Sequence, residues 1–193
     1  MSKLTIDDIS DLRAYERERQ EFRERIIALK RLRRIPVGPI ITFVFENRDT
    51  VRFQIQEMAR AERMLTDEAI QTELDIYNPL IPEPGRLCAS LFVELTSKAE
   101  LEEWLPKLVG VERAVRLHIG DEVVAATPES AHEEQLTRDD VTASVHYVWF
   151  DVTPAQVAAL TTAPVTLAIE HPEYRHATTL LEDTVRELAA DAA

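Results

Sequence analysis

Leu87-Cys88-Ala89-Ser90-Leu91-Phe92-Val93-Glu94-Leu95 is the stretch on which the fold turns. Leu87, Ala89, Leu91, Val93 and Leu95 share one parity; Cys88, Ser90, Phe92 and Glu94 share the other. A period of two sends each set to its own side of a pleated strand. The spacing therefore predicts a strand with one face on a core. Downstream, Ser97 offers a cap for a helix carrying Ala99, Leu101, Trp104, Leu105 and Leu108, which Gly110 stops. Val115, Leu117 and Ile119 form a further strand, and Gly120-Asp121 returns it as a hairpin into Val123–Ala126. Thr127–Asp140 is acidic and rich in turn residues, and reads as an exposed loop. Val141–Val152 is apolar on both parities around Val148, Trp149 and Phe150, as a central strand would be. Thr153 then caps a short helix with Pro154 at the tolerated first position. A strand at Val165–His171 and a helix from Pro172 or Tyr174 to Ala190 complete this half.

Upstream the period changes. Thr5, Asp7 and Asp8 form an acidic cap, followed by Ile9, Leu12, Tyr15, Phe22, Ile26, Leu29 and Leu32 at steps of three and four, with one gap at Arg19 where the helix could break. This is the stripe of a long amphipathic helix, and it must stop at Ile35 because Pro36 disfavours a helical predecessor. Ile40–Phe45 reads as a strand. Asn47-Arg-Asp-Thr50 supplies a turn and cap for a helix whose stripe is Val51, Ile55, Met58, Glu62 and Leu65. Thr66 caps another, over Asp67–Tyr77, with Ile70, Glu73, Leu74 and Tyr77 on one side. Asn78-Pro79 and Pro82-Glu-Pro-Gly85 end it. The expected architecture is α+β: a mainly antiparallel five- to six-stranded sheet with a long N-terminal helix and a C-terminal helix. It forms a single domain over 1–193, helical in 1–85 and strand-rich in 86–193.

Composition narrows the function. The net charge is −13, yet residues 13–34 alone carry nine Arg and Lys against four Glu, leaving −18 elsewhere. An acidic body argues against nucleic-acid binding. The basic run Lys30, Arg31, Arg33 and Arg34 is the exception, read as a helix end that complements its own dipole and docks on the acidic body. The single cysteine, Cys88, excludes an internal disulfide and a paired-cysteine metal site, and its apolar setting makes it a buried small hydrophobe. Each of the four glycines punctuates a connection, so no phosphate-cradling loop exists. The acidic start and the lack of a long apolar run imply a cytoplasmic chain with no membrane span.

Two acids sit where their helices would ordinarily bury leucine: Glu62 and Glu73. A carboxylate on an apolar face must be neutralised, paired or used. Of the five histidines, His118 and His132 read as solvated and His176 as either, while His146 and His171 have inward parity. Glu62, Glu73, His146 and His171 together would make a carboxylate–imidazole set suited to iron, manganese or zinc. The plainer alternative pairs each acid with an arginine such as Arg52, Arg60, Arg63 or Arg86.

The pieces Gln54-Ile-Gln-Glu-Met58 with Arg60 and Glu62, Glu73-Leu-Asp-Ile-Tyr-Asn-Pro79, Leu108-Val-Gly-Val-Glu112, Ser144-Val-His146 and Glu170-His-Pro-Glu-Tyr174 carry a resemblance spread over about residues 3–176. The chain resembles an uncharacterised bacterial domain-of-unknown-function family encoded near rubrerythrin and iron–sulfur oxidoreductase genes. That resemblance implies a link to oxidative stress and electron transfer. The expected function is an accessory or interaction protein with a rubrerythrin-type or iron–sulfur oxidoreductase partner; the alternative is a non-haem metal enzyme built on the four residues above. A homo-oligomer is compatible with either.

Overall fold

The computed structural model describes residues 2–129 and 140–193. The expected loop at Thr127–Asp140 and His132 thus lie largely or wholly outside the described residues. The α+β class, the antiparallel pairing and the long N-terminal helix are as the sequence predicts, and the strands divide between two sheets.

After a short 3-10 turn capped by Thr5, the first helix, α1, runs Leu12–Arg33 with the Asp11 carboxylate accepting from the Arg13 and Ala14 amides. The two strands β1 (Arg34–Pro36) and β2 (Ile41–Phe45) follow, then α2 (Arg48–Glu62) and α3 (Asp67–Tyr77). Next come β3 (Arg86–Val93), α4 (Lys98–Lys107), and the hairpin of β4 (Val115–Ile119) with β5 (Glu122–Ala125). The last third holds β6 (Thr127–Pro128), β7 (Val145–Asp151), α5 (Pro154–Leu160), β8 (Val165–His171), β9 (Tyr174–Thr179) and α6 (Glu182–Ala192). One sheet has the order β1-β2-β3-β7-β6 and the other β5-β4-β8-β9, and all neighbours are antiparallel.

Three differences from the sequence reading have physical causes. The first is β1, which claims the residues just after α1: Pro36 lacks an amide hydrogen, and an edge strand tolerates that. A second concerns β9, which replaces the first turns of the expected C-terminal helix. The outer edge of β8 offers unpaired backbone groups, and Tyr174–Thr179 fills them with Ile169 opposite His176. Here long-range ladder bonds override local periodicity. Finally, β3 is buried on both parities, since Cys88 and Ser90 are as enclosed as Leu87 and Ala89.

That two-sided burial sets the layering. Phe43, Phe45, Leu87, Leu91, Val148 and Phe150 share one cluster with Val115, Leu117, Ile119, Val165, Leu167 and Ile169 of the second sheet. The opposite side of the first sheet meets Val51, Ile55 and Leu74 of α2 and α3, with Cys88 among them. Burial of Cys88 pushes its thiol well up, so it is the inert packing residue its context predicts. At Gly38 the backbone is left-handed (φ +77), and a Cβ there would run into the Tyr174 hydroxyl and the His176 ring. The Tyr174 hydroxyl donates to the Val37 carbonyl at 2.8 Å, tying β9 to the first sheet.

The helical layer is bound by charge as well as by apolar contact. Glu57 of α2 accepts from Tyr15 at 2.6 Å and from Arg19 through two bonds of 2.8 Å. These partners, Arg19 foremost, hold the Glu57 carboxyl below the usual range, although partial burial opposes them. At the other end of α1, Arg33 is 1% exposed and makes a forked contact to Asp191 and a 2.9 Å bond to Glu187, both on α6. Arg34 turns out to Glu94 at 2.9 Å. The expectation that the basic helix end docks on the acidic body holds for these two arginines. Removing one partner of a buried ion pair strands the other charge. We expect Arg33→Met to lower unfolding stability in urea by about 3–5 kcal/mol. Asp191→Leu combined with it should recover much of the loss.

Candidate functional site

The four residues singled out from the sequence do not come together. Glu62 is the last residue of α2 and is exposed, because Arg63 leaves the helix in the left-handed region (φ 53) and carries the apolar stripe out to an exposed Leu65. Glu73 is half-buried on α3. Neither acid forms an ion pair among the described residues, but the two are near enough to interact. Burial, and after it the Glu62 charge, pushes the Glu73 carboxyl above its ordinary value. The same pair adds to the burial that raises the Tyr77 phenol, against a bond with Gln54.

The histidines lie beyond the five-stranded sheet's helical side. His146 is buried, with the parity of Val148 and Phe150, and its Nε2 stands 2.9 Å from the Thr142 hydroxyl and 3.0 Å from the Ala143 carbonyl. Its Nδ1 faces the buried Glu112 carboxylate at 4.0 Å. His171 is bonded on both ring nitrogens: Nε2 donates to the Val109 carbonyl at 3.1 Å and Nδ1 accepts from the Glu173 amide at 3.3 Å. Such bonding fixes ring and tautomer in a packing role. Both rings thus flank the Val109–Glu112 turn, while both acids sit on the far helices. Among the described residues no group of three or more His, Cys, Asp or Glu side chains is arranged to hold a metal.

Two other features have the geometry of recognition. The first is the outer face of the second sheet. Rows Val123, His118, Thr166, Thr179 and Ala125, Arg116, Ala168, Ala177 run across it in register, beside Glu170 and Arg175. Val123 is 53% exposed. Ala125, Glu170, Arg175, Ala177 and Thr179 are exposed with it. Arg116 and His118 both approach Glu170, at 3.9 and 3.7 Å. The surface is therefore a mixed one, small apolar side chains among paired charges.

The second feature is a cavity of about 210 Å³ between the helical layer and the first sheet, whose polar lining includes Lys30, Glu46, Gln54, Tyr77, Ser90 and Tyr147. Glu46 follows β2 and is 9% exposed. Its carboxylate accepts from the Ser90 hydroxyl at 2.6 Å and the Thr50 hydroxyl at 2.5 Å. The strand register explains the pairing: Val44 lies opposite Ser90, and Glu46 continues the Thr42–Val44 parity onto the helical side. That continuation past Phe45 was the available signal, hidden beside the Asn47 cap that ends the strand. Burial leaves the Tyr147 phenol protonated far above neutral pH, so the wall presents neutral hydroxyls to the carboxylate.

The sequence matches the family described as "Protein of unknown function (DUF3501)" over residues 3–192. Among solved structures, a "novel protein of unknown function" from Burkholderia pseudomallei K96243, at 1.90 Å resolution, is 34% identical, with a TM-score of 0.91 and 100% of each chain covered. No curated protein matches.

The Glu62–Glu73 proximity yields a sign-definite expectation. A carboxyl raised by folding is penalised in the folded state once it ionises, so the penalty is absent at low pH and grows as pH rises through its titration. Glu73→Gln should therefore raise the melting temperature at pH 7 and leave it nearly unchanged at pH 3.5, as read by thermal scans at both values.

Proposed function

The chain belongs to the DUF3501 family of proteins of unknown function, and from that premise we propose that it is an accessory protein that recognises a redox partner. The whole chain, 1–193, serves as one α+β domain for this role. The partner is of the iron–sulfur oxidoreductase or rubrerythrin type, in a cytoplasmic oxidative-stress or electron-transfer system. The resemblance described from the sequence supports that setting. No helix among the described residues is long and apolar enough to cross a membrane.

The observation that carries the reading is the exposed outer face of the second sheet. It combines Val123, Ala125 and Ala177 with Arg116, His118, Glu170 and Arg175. Val123 and Ala125 lie on one edge strand and Ala177 on the other, with Arg116, His118 and Glu170 on the two strands between them. The face thus offers small apolar side chains flanking paired charges, a mixture as polar as transient interfaces are. The net charge of −13 adds long-range attraction for a basic partner surface. Attraction of that kind weakens as salt shortens the Debye length.

We expect measurable association with a purified iron–sulfur oxidoreductase or rubrerythrin-type protein from the same organism, weakening steadily from low to physiological salt. The double variant Val123→Asp, Ala177→Glu should weaken it at least tenfold in biolayer interferometry while melting as the parent does. Failure to associate with either protein, or equal binding by the variant, would overturn the reading. The non-haem alternative is met by elemental analysis of the same preparation. Near-stoichiometric iron, manganese or zinc that disappears in Glu62→Gln would replace the accessory role.

A further inference from the structure

The Glu46 cavity has one property that its own hydrogen bonds leave unresolved. Two hydroxyls, from Thr50 and Ser90, satisfy one lone pair on each carboxylate oxygen. Neither hydroxyl neutralises the charge. Among the described residues no cation pairs with Glu46, although the residue is nine-tenths buried. Arg33, by contrast, is as deeply enclosed and has its counter-ion in Asp191. An enclosed carboxylate without a directly paired cation carries a desolvation cost. A bound cation would remove it.

The walls indicate what kind of cation. Lining residues Tyr77, Phe92 and Tyr147 present aromatic surface, which attracts a positive charge through its quadrupole. Both remaining acids of the neighbourhood, Glu62 and Glu73, lie close enough to act on Tyr77 and so add negative potential on that side. Lys30 supplies the opposite sign. It lines the same cavity, half-buried, with its ammonium 5.8 Å from the centre of the Phe53 ring. A cavity of about 210 Å³ suits a molecule of few heavy atoms with a charge of each sign at its two ends.

We propose that this cavity binds a small amino-acid-type zwitterion, its ammonium on the Glu46 carboxylate and its carboxylate on Lys30. The ammonium would add donors to the free lone pairs of Glu46, and charge-assisted bonds of this kind are the strong ones. The inference is independent of the partner surface on the second sheet, which lies on the opposite side of the intervening core.

The test uses the full chain and calorimetry with the twenty common amino acids, each beside its decarboxylated amine and its deaminated acid. At least one amino acid should bind with a Kd below a millimolar, with the matching amine and acid each at least about tenfold weaker, the loss of one charge-assisted contact. Glu46→Gln keeps the shape and should abolish binding. Lys30→Met at the half-exposed rim should weaken the amino acid about tenfold and leave the amine unchanged. The Lys30 variant keeps the proposal testable if Glu46→Gln does not fold. Absence of binding by all amino acids at 10 mM, or an amine that binds as tightly as its amino acid, would overturn it.

Discussion

Strand β2 has no solvent side. All five of its residues, Ile41 to Phe45, are buried, and the rest of the architecture follows from having to cover both of its faces. Apolar Phe43 and Phe45 turn to the second sheet. Thr42 and Val44 turn the other way, where helices must lie. Polar groups on that second face cannot reach bulk water, so each needs a partner inside the protein. The Thr42 hydroxyl finds Glu94 at 2.7 Å. Ser90, opposite Val44 on β3, finds Glu46. The buried carboxylate and its cavity are thus a consequence of a sheet enclosed between a helical layer and another sheet.

The helical layer reaches that sheet through few apolar residues, and charge completes the attachment. Along α1 only Tyr15, Phe22 and Ile26 are buried apolar side chains. Its arginines do much of the rest: Arg19 on Glu57 of α2, Arg33 on Asp191 of α6. Three of the nine cations in residues 13–34, Arg19, Arg33 and Arg34, are therefore engaged within the molecule. A basic segment in an acidic chain reads as a docking site until the acids that oppose it are located, and here they lie 38 and 158 residues away.

Legibility differed sharply between fold and site. The caps at Asn47, Thr66, Ser97 and Thr153 and the hairpin at Gly120 all sit where local chemistry places them. So does the inward parity of His146 and His171. The acid stripe was a weaker guide. Its logic requires the helix to continue past Glu62, and α2 ends there, so a residue in phase with Val51 and Ile55 points into solvent. Glu46 had the reverse history: a residue in an ordinary turn context proved to be enclosed.

Periodicity and capping are local properties, so the sequence alone determined most element types, most of their limits and the antiparallel character. Pairing partners are not local. Tyr174–Thr179 became a strand because β8 had a free edge, and Cys88 became buried because α2 and α3 pack over that side of β3. Which carboxylate is enclosed, and which histidine is merely packed, depends on what the tertiary structure sets within a few ångströms of each. That distance is a property of the folded chain, and no spacing along the sequence encodes it.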